Sequence, residues 1–452
     1  VALAILAWVA VACSPSGRSG VTDGGLAVRD GGGEASDAGG RRREGGANKG
    51  DAARAADGGA PGDARPGGDS SDPGLAGDAA SGTAAADATP PVADAAGDAA
   101  PAASSDAAIE AASDASSDAH DAGPPAWLHA QGGQIVDGEG NVVRLFGVNR
   151  SGSEYACVDG DGIFDGPSDA ASVAAMRSWK VNAVRVPLNE DCWLGINGIR
   201  AAYSGAAYQA AIVAYVDLLL ASGIYPIVDL HWTAPGTTRA TGQEPMPDAD
   251  HSVDLWTSVA TQLQGRANVI FELFNEPWPD GDRDTDAAWT CWLSGGSCPG
   301  ISFRVAGMQS LVDAVRATGA GNLLLLGGVE YSNALSQWLT YAPVDPLNNL
   351  AAAWHVYKTN PCNTQSCWQQ TAGLVDQVVP VVATEVGDSV CNGSFPTGVM
   401  TWLDGQQQSY VGWAWNVYPT GCSNYAIISD YAGTPTPVYG AAFKAHFASA
   451  AP

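Results

Sequence analysis

Positive charge is scarce in this chain: 452 residues carry 21 Lys and Arg against 48 Asp and Glu, a formal net charge of −27. So acidic a molecule repels phosphate backbones and anionic headgroups, which argues against nucleic acid as a partner and suits a neutral one. CxxC pairs are missing, and no histidines lie near the cysteines, which argues against a metal cluster. Residues 14–123 lack Trp, Tyr and Phe altogether and hold almost no aliphatic or β-branched run. Such a stretch of Ala, Asp, Gly, Ser and Pro cannot bury enough apolar area to offset its ordering entropy, and it reads as a disordered linker. The one N-terminal apolar run, residues 1–12, is too short to span a bilayer but suits the core of an export signal.

Ala10, Val11 and Ala12 lead into Cys13, and the junction resembles a bacterial lipoprotein signal. It implies residues 1–13 as an export signal and a lipid on Cys13, so that the only membrane contact would be through that anchor. The linker would then be a self-repelling tether, with 8 basic and 19 acidic residues. The expected location is extracellular or on the cell surface.

Residues 124–452 are a different polymer, with 14 of the 15 Trp and every Tyr and Phe. Two short strand-like runs flanking DGEGN (137–141) predict an N-terminal β-hairpin lying on the barrel floor. Apolar strand-like runs then alternate with helical stretches opened by caps such as Ser168 and Ser252. Eight runs end near Asn149, Leu188, His231, Asn275, Tyr331, Tyr357, Glu385 and Asn416. The predicted fold is α/β, a (β/α)8 TIM barrel, with an open doubly wound sheet as the competing arrangement.

Polar residues that follow these runs collect on the C-terminal rim, where barrel loops converge. They are Arg185 in VNAVRVPLN, His231 in YPIVDLHW, Asn275 and Glu276 in FELFNEP, His355 and Tyr357 in AAAWHVY, Glu385 in VATEVG, and Trp415 in GWAWN. Two glutamates on one rim are the minimum for glycoside hydrolysis, one as proton donor and the other as nucleophile. Singly, each residue has an ordinary reading as loop glutamate, buried ion pair or core histidine, and together they favour a site. Arg185 would keep Glu385 ionised. Glu272 shares the parity of Glu276 and is assigned a structural role. Trp193, Trp232, Trp278, Trp292 and Trp415 lie at strand ends or in loops, and two or three of them are expected to stack on sugar rings. The acidic run DGDRDTD (280–286) lacks the glutamate that would complete a calcium loop and reads as a solvated loop, so no metal is expected.

Eight cysteines in an exported domain argue for disulfides. Short spacings suggest Cys291–Cys298 and Cys362–Cys367, leaving Cys157–Cys192 and Cys391–Cys422 to brace loops of neighbouring strands.

With these residues assembled, residues 128–447 resemble glycoside hydrolase family five, the cellulase and mannanase family. The resemblance rests on Arg185, His231, Asn275, Glu276, His355, Tyr357, Glu385 and Trp415 occurring in order. It implies a retaining double displacement with Glu276 as general acid/base and Glu385 as nucleophile, Asn275 on the sugar 2-hydroxyl, and Trp415 under the reacting sugar. It implies a monomer acting without cofactor on a neutral β-linked polysaccharide. An endo-β-1,4-glucanase is the first expectation, a β-mannanase or exo-acting β-glycosidase the second, and a non-catalytic surface carbohydrate-binding protein the alternative of another class.

Overall fold

The structure, a computed structural model, describes residues 128–418, 422 and 425–450. The export signal, Cys13 and the linker lie outside the described residues. No helix among the described residues is long and apolar enough to cross a membrane.

Eight parallel strands close into a barrel, each hydrogen-bonded to the next in chain order and the last to the first. They are β1 (Phe146–Asn149), β2 (Ala183–Asn189), β3 (Tyr225–Trp232), β4 (Ile270–Glu272), β5 (Leu324–Gly327), β6 (Leu350–Tyr357), β7 (Val381–Gly387) and β8 (Ser409–Gly412). Helices such as Ala170–Arg177, Ala206–Ala221, Ser252–Leu263, Met308–Ala317 and Ser394–Gly405 occupy the connections. The closed ring excludes the open sheet.

The period of two along each strand sorts the side chains into layers. Val184, Val186, Leu188, Val228, Leu230, Leu324 and Leu326 face outward into the core beneath the helices. The opposite parity points into the barrel, where Ala183, Ile227, Ile270, Leu325, Ala351, Ala353, Val382 and Val411 form a separate apolar plug low in the ring. Two residues further along the same strands, the inward positions become Arg185, Asp229, Glu272, His355 and Thr384. The barrel interior is therefore apolar at its floor and ionic at its mouth.

The hairpin is present, but its turn is Gly132-Gly133, joining His129–Gln131 to Gln134–Val136. DGEGN forms a second turn, in which Asp137 accepts from the Glu139 and Asn141 backbone N–H groups and Val136 bridges to Val142. Leu128 and Ile135 pack on the apolar plug, so the hairpin covers the floor.

Several boundaries shift from the sequence reading. β4 stops at Glu272, short of Asn275; β5 stops at Gly327, short of Tyr331; β8 stops at Gly412, short of Asn416. The extra residues run on over the rim, Asn275 and Asn416 as loop and Tyr331 in a short turn, Val329–Ser332. The first cap is Asp169, which accepts from Ser172 N, one residue beyond Ser168. Ser252 opens its helix but uses its hydroxyl elsewhere, donating to Glu190. Disulfides join Cys157–Cys192, Cys291–Cys298, Cys362–Cys367 and Cys391–Cys422.

Candidate active site

Arg185 is the hub of the barrel mouth. Its side chain is fully buried on β2, and each part of the guanidinium has a partner. Nε donates to Glu272 Oε2 at 2.6 Å, Nη1 to Glu385 Oε1 at 2.7 Å and to Asn149 Oδ1 at 3.0 Å, and Nη2 to Asn275 Oδ1 at 2.7 Å. Asp229 Oδ1 lies 3.3 Å from Nη2. Burial would lower the guanidinium pKa, but three carboxylates, Asp229, Glu272 and Glu385, raise it. A rigid fork of five donors is the group suited to holding several acceptors at fixed angles.

β6 and β7 run side by side with His355 opposite Glu385, after a register shift between Ala353 and His355. Such irregularities re-aim side chains at a barrel rim. Tyr357, one pleat beyond His355, donates to Glu385 Oε2 at 2.5 Å. Gly387 makes this possible, since a Cβ there would fall 2.4 Å from Tyr357 Cε1. Burial first, and then the negative charge of Glu385, push the Tyr357 pKa well up, so the phenol stays protonated and donates.

Glu276 follows β4 on the loop and reaches back over the mouth. His355 Nδ1 lies 2.8 Å from Glu276 Oε1 and 3.6 Å from Glu385 Oε2, while its Nε2 lies 3.8 Å from Glu272 Oε1. One ligand atom from each of Glu276, His355 and Glu385 lies within 4.8 Å of the others. That spacing would also suit a cation, but both Glu385 oxygens already accept from Arg185 and Tyr357.

The electrostatics follow from burial among these groups. For His355, burial favours the neutral ring, yet Glu385, Glu272 and Glu276 outweigh it and push the pKa up to about 10, so the imidazole is charged. Burial raises Glu276, but the hydrogen bond and charge of His355 bring it below the usual carboxylate range, helped by a hydrogen bond from Gln243. Glu385 stands above that range because burial and the charge of Glu276 exceed the lowering fields of His355 and Arg185. Arg185 thus opposes protonation of Glu385 without overcoming its burial.

His231, next to last in β3, has Nδ1 3.1 Å from Asp229 Oδ2 and its ring stacked on Trp413, centroids 5.6 Å apart at 8°. Burial lowers its pKa, and the charge and hydrogen bond of Asp229 more than restore it. Asn275 Nδ2 is buried with no protein partner, because its Oδ1 faces Arg185, which can only donate. A buried donor is therefore left without a protein partner at this position. Trp278 Nε1 is likewise unpaired.

The sequence model of cellulase (glycosyl hydrolase family 5) matches residues 136–419. The chain belongs to glycosyl hydrolase family 5. This family 5 chain is 29% identical over 203 residues to the manganese dependent endoglucanase Eg5A of Phanerodontia chrysosporium, covering 43% of this chain and 46% of that one. It is 22% identical to a mannan endo-1,4-beta-mannosidase of Streptomyces lividans, over 64% of this chain and 66% of the relative. It therefore spans less than two thirds of the length of each of these relatives. Among solved structures, the beta-glucanase SdGluc5_26A of Saccharophagus degradans shares its fold, with a TM-score of 0.56, 22% identity, and 73% and 94% of the two chains covered.

Within this family 5 barrel, the residues read from the sequence meet at one mouth except for three of the tryptophans. Trp415 is fully buried, packed edge-on against Trp179 with centroids 5.0 Å apart, and cannot lie under a sugar. Because β8 ends at Gly412, the rim tryptophan is Trp413, partly exposed beside His231. Trp193 and Trp292 are also core residues, donating to Ser258 Oγ and Gly327 O. Trp232 and Trp278 remain partly exposed at the rim, Trp278 stacked on Tyr331. Asp229, Asn149 and Glu272 belong to the ionic layer, although the sequence reading left out the first two and kept Glu272 as structural. Asp229 could have been found from its place two residues before His231, on the same strand face.

Proposed function

We propose that this protein is a retaining glycoside hydrolase that cleaves β-linked polysaccharide, with Glu276 as general acid/base and Glu385 as nucleophile. The observation that carries the reading is the approach of Glu276 and Glu385 to within 4.8 Å across His355. Retaining enzymes place their carboxyl groups roughly 5 to 5.5 Å apart, whereas inverting ones leave roughly 6.5 to 9.5 Å for a water.

In the first step Glu385 attacks the anomeric carbon while the glycosidic C–O bond breaks and Glu276 delivers a proton to the leaving oxygen. That proton is available from His355 Nδ1, 2.8 Å away, whose transfer to Glu276 leaves a neutral imidazole. Forming the glycosyl-enzyme removes the negative charge of Glu385, which lowers the Glu276 pKa and suits it to act next as a base. Water then gives its proton to Glu276 and displaces Glu385 from the sugar. Arg185 and Tyr357 fix the nucleophile, and the free Asn275 Nδ2 hydrogen-bonds the 2-hydroxyl. Trp413 takes the stacking role under the reacting sugar, and Trp232 and Trp278 add apolar faces.

The substrate proposed first is a β-1,4-glucan cut internally. Relatives named as endoglucanases support this reading. A β-mannan is the second reading, favoured by the mannosidase relative. The disulfides and the N-terminal apolar run support export, with lipidation of Cys13 as a further step. Reducing-sugar release from carboxymethyl cellulose, glucomannan, galactomannan and mixed-linkage β-glucan, with product stereochemistry by NMR, tests the proposal. Inverted products, or binding with no release, would reject it.

A further inference from the structure

Between β5 and β6 the chain does something costly. Glu330, Tyr331 and Ser332 are consecutive non-glycine residues with φ of 54°, 56° and 59°, all in the left-handed region. Non-glycine residues visit that region as isolated positions, and a run persists only where surrounding contacts over-determine it. Two glycines stand just upstream, yet neither takes a left-handed position. Gly327 and Gly328 instead allow close approach, since a Cβ on the first would fall 2.1 Å from Ser332 Oγ and one on the second 1.9 Å from Ala334 O.

The contacts that hold the turn go to one place. Ser332 Oγ donates to Asn275 O at 2.8 Å, and Tyr331 N donates to Pro277 O at 3.0 Å, so the residues on either side of Glu276 are both gripped. Asn333 Nδ2 donates to His355 O at 2.8 Å, and Asn333 Oδ1 accepts from Cys362 N at 2.9 Å. Ser332 and Asn333 are fully buried. Adjacent residues of one turn are thus bonded to the backbone around Glu276 and to the backbone of His355, the two groups whose side chains meet at 2.8 Å.

We infer that the left-handed turn Glu330–Ser332 with Asn333 is a brace that sets the Glu276–His355 separation, making Ser332 and Asn333 positioning residues for proton delivery. The inference rests on Glu276 being the general acid. Its direct bonds run to the donor side, since no hydrogen bond described for Ser332 or Asn333 reaches Glu385, Arg185 or Tyr357.

The test separates proton delivery from general damage. Ser332→Ala keeps the backbone strain and deletes the tie to Asn275, and Gly327→Ala pushes Ser332 away from that tie. Each variant is assayed in the full chain for kcat/KM on two aryl β-glycosides of the accepted sugar. One has a phenyl leaving group that needs a proton, and the other a 2,4-dinitrophenyl group that does not. We expect roughly a tenfold loss on the phenyl substrate and a change of less than about twofold on the other. Equal losses on both, or no loss on either, would overturn the brace. Glu276→Ala is run in parallel. If it splits the substrates and the brace variants do not, only this inference fails; if Glu276→Ala itself shows no split, the acid assignment fails and takes the brace with it. Ser332→Ala decides the matter if Gly327→Ala does not fold.

Discussion

His355 Nδ1 lies 2.8 Å from Glu276 Oε1, while the same nitrogen is 3.6 Å from Glu385 Oε2. A single imidazolium therefore serves both carboxylates, and its charge lowers the pKa of each. Replacing it with a neutral side chain removes that lowering. In His355→Asn we expect the acid limb of the kcat/KM profile to move to higher pH, because Glu385 must be ionised to attack and protonates more readily without the cation. An acid limb that stays in place, measured on a soluble oligosaccharide, would show that His355 does not set the nucleophile's charge.

The roles of the two glutamates are separable by an added anion. Glu385→Ala should lose roughly 10⁴-fold in turnover while still binding polysaccharide. Azide should then restore activity by direct attack, giving a glycosyl azide of inverted configuration. Glu276→Ala with azide should give the retained configuration, because Glu385 still forms the covalent intermediate. NMR of the azide products would expose an exchange of roles.

Two tryptophans two residues apart should behave in opposite ways. Trp415→Ala opens a cavity in the layer against Trp179 and should cost about 3–5 kcal/mol in a urea titration. Trp413→Ala should leave stability closer to that of the unaltered protein and lower kcat/KM roughly tenfold, about 1.4 kcal/mol of transition-state binding. Similar stability losses in both would place Trp413 in the core.

Away from the mouth, Glu190 and Asp248 are buried around Thr233 and Ser252, which hydrogen-bond to both. Burial, then the charge of Asp248, raise the Glu190 pKa well above its ordinary 4.5. The folded state thus binds a proton that the unfolded chain releases. The associated stability is complete below about pH 4.5 and is lost as pH rises toward the raised folded value. Glu190→Gln keeps a neutral group of the same shape. Its Tm should match the parent near pH 4 and exceed it increasingly as pH rises above about 4.5. A constant Tm difference across that range would contradict a protonated Glu190.

Much of the architecture was legible in the residues themselves. A parallel strand buried on both faces must read as an unbroken apolar run, so a polar residue within it or near its end stands out, and Arg185, His231, His355, Tyr357 and Glu385 were visible for that reason. Cysteine spacing likewise restricts pairing when a loop is only a few residues long. Asp229, Glu272 and Asn149 were harder to read, because a buried acid or amide inside a strand has no meaning until the ring closes and Arg185 reaches it from another strand. Trp413 and Trp415 have the same parity, and which of them faces the cleft depends on where β8 stops at Gly412. The turn at Glu330–Ser332 carries no local signal for left-handed backbone, since the contacts that hold it come from the loop after β4 and from β6. Periodicity along one strand specifies which face is buried; assigning partners across the barrel needs the closure that brings distant strands together.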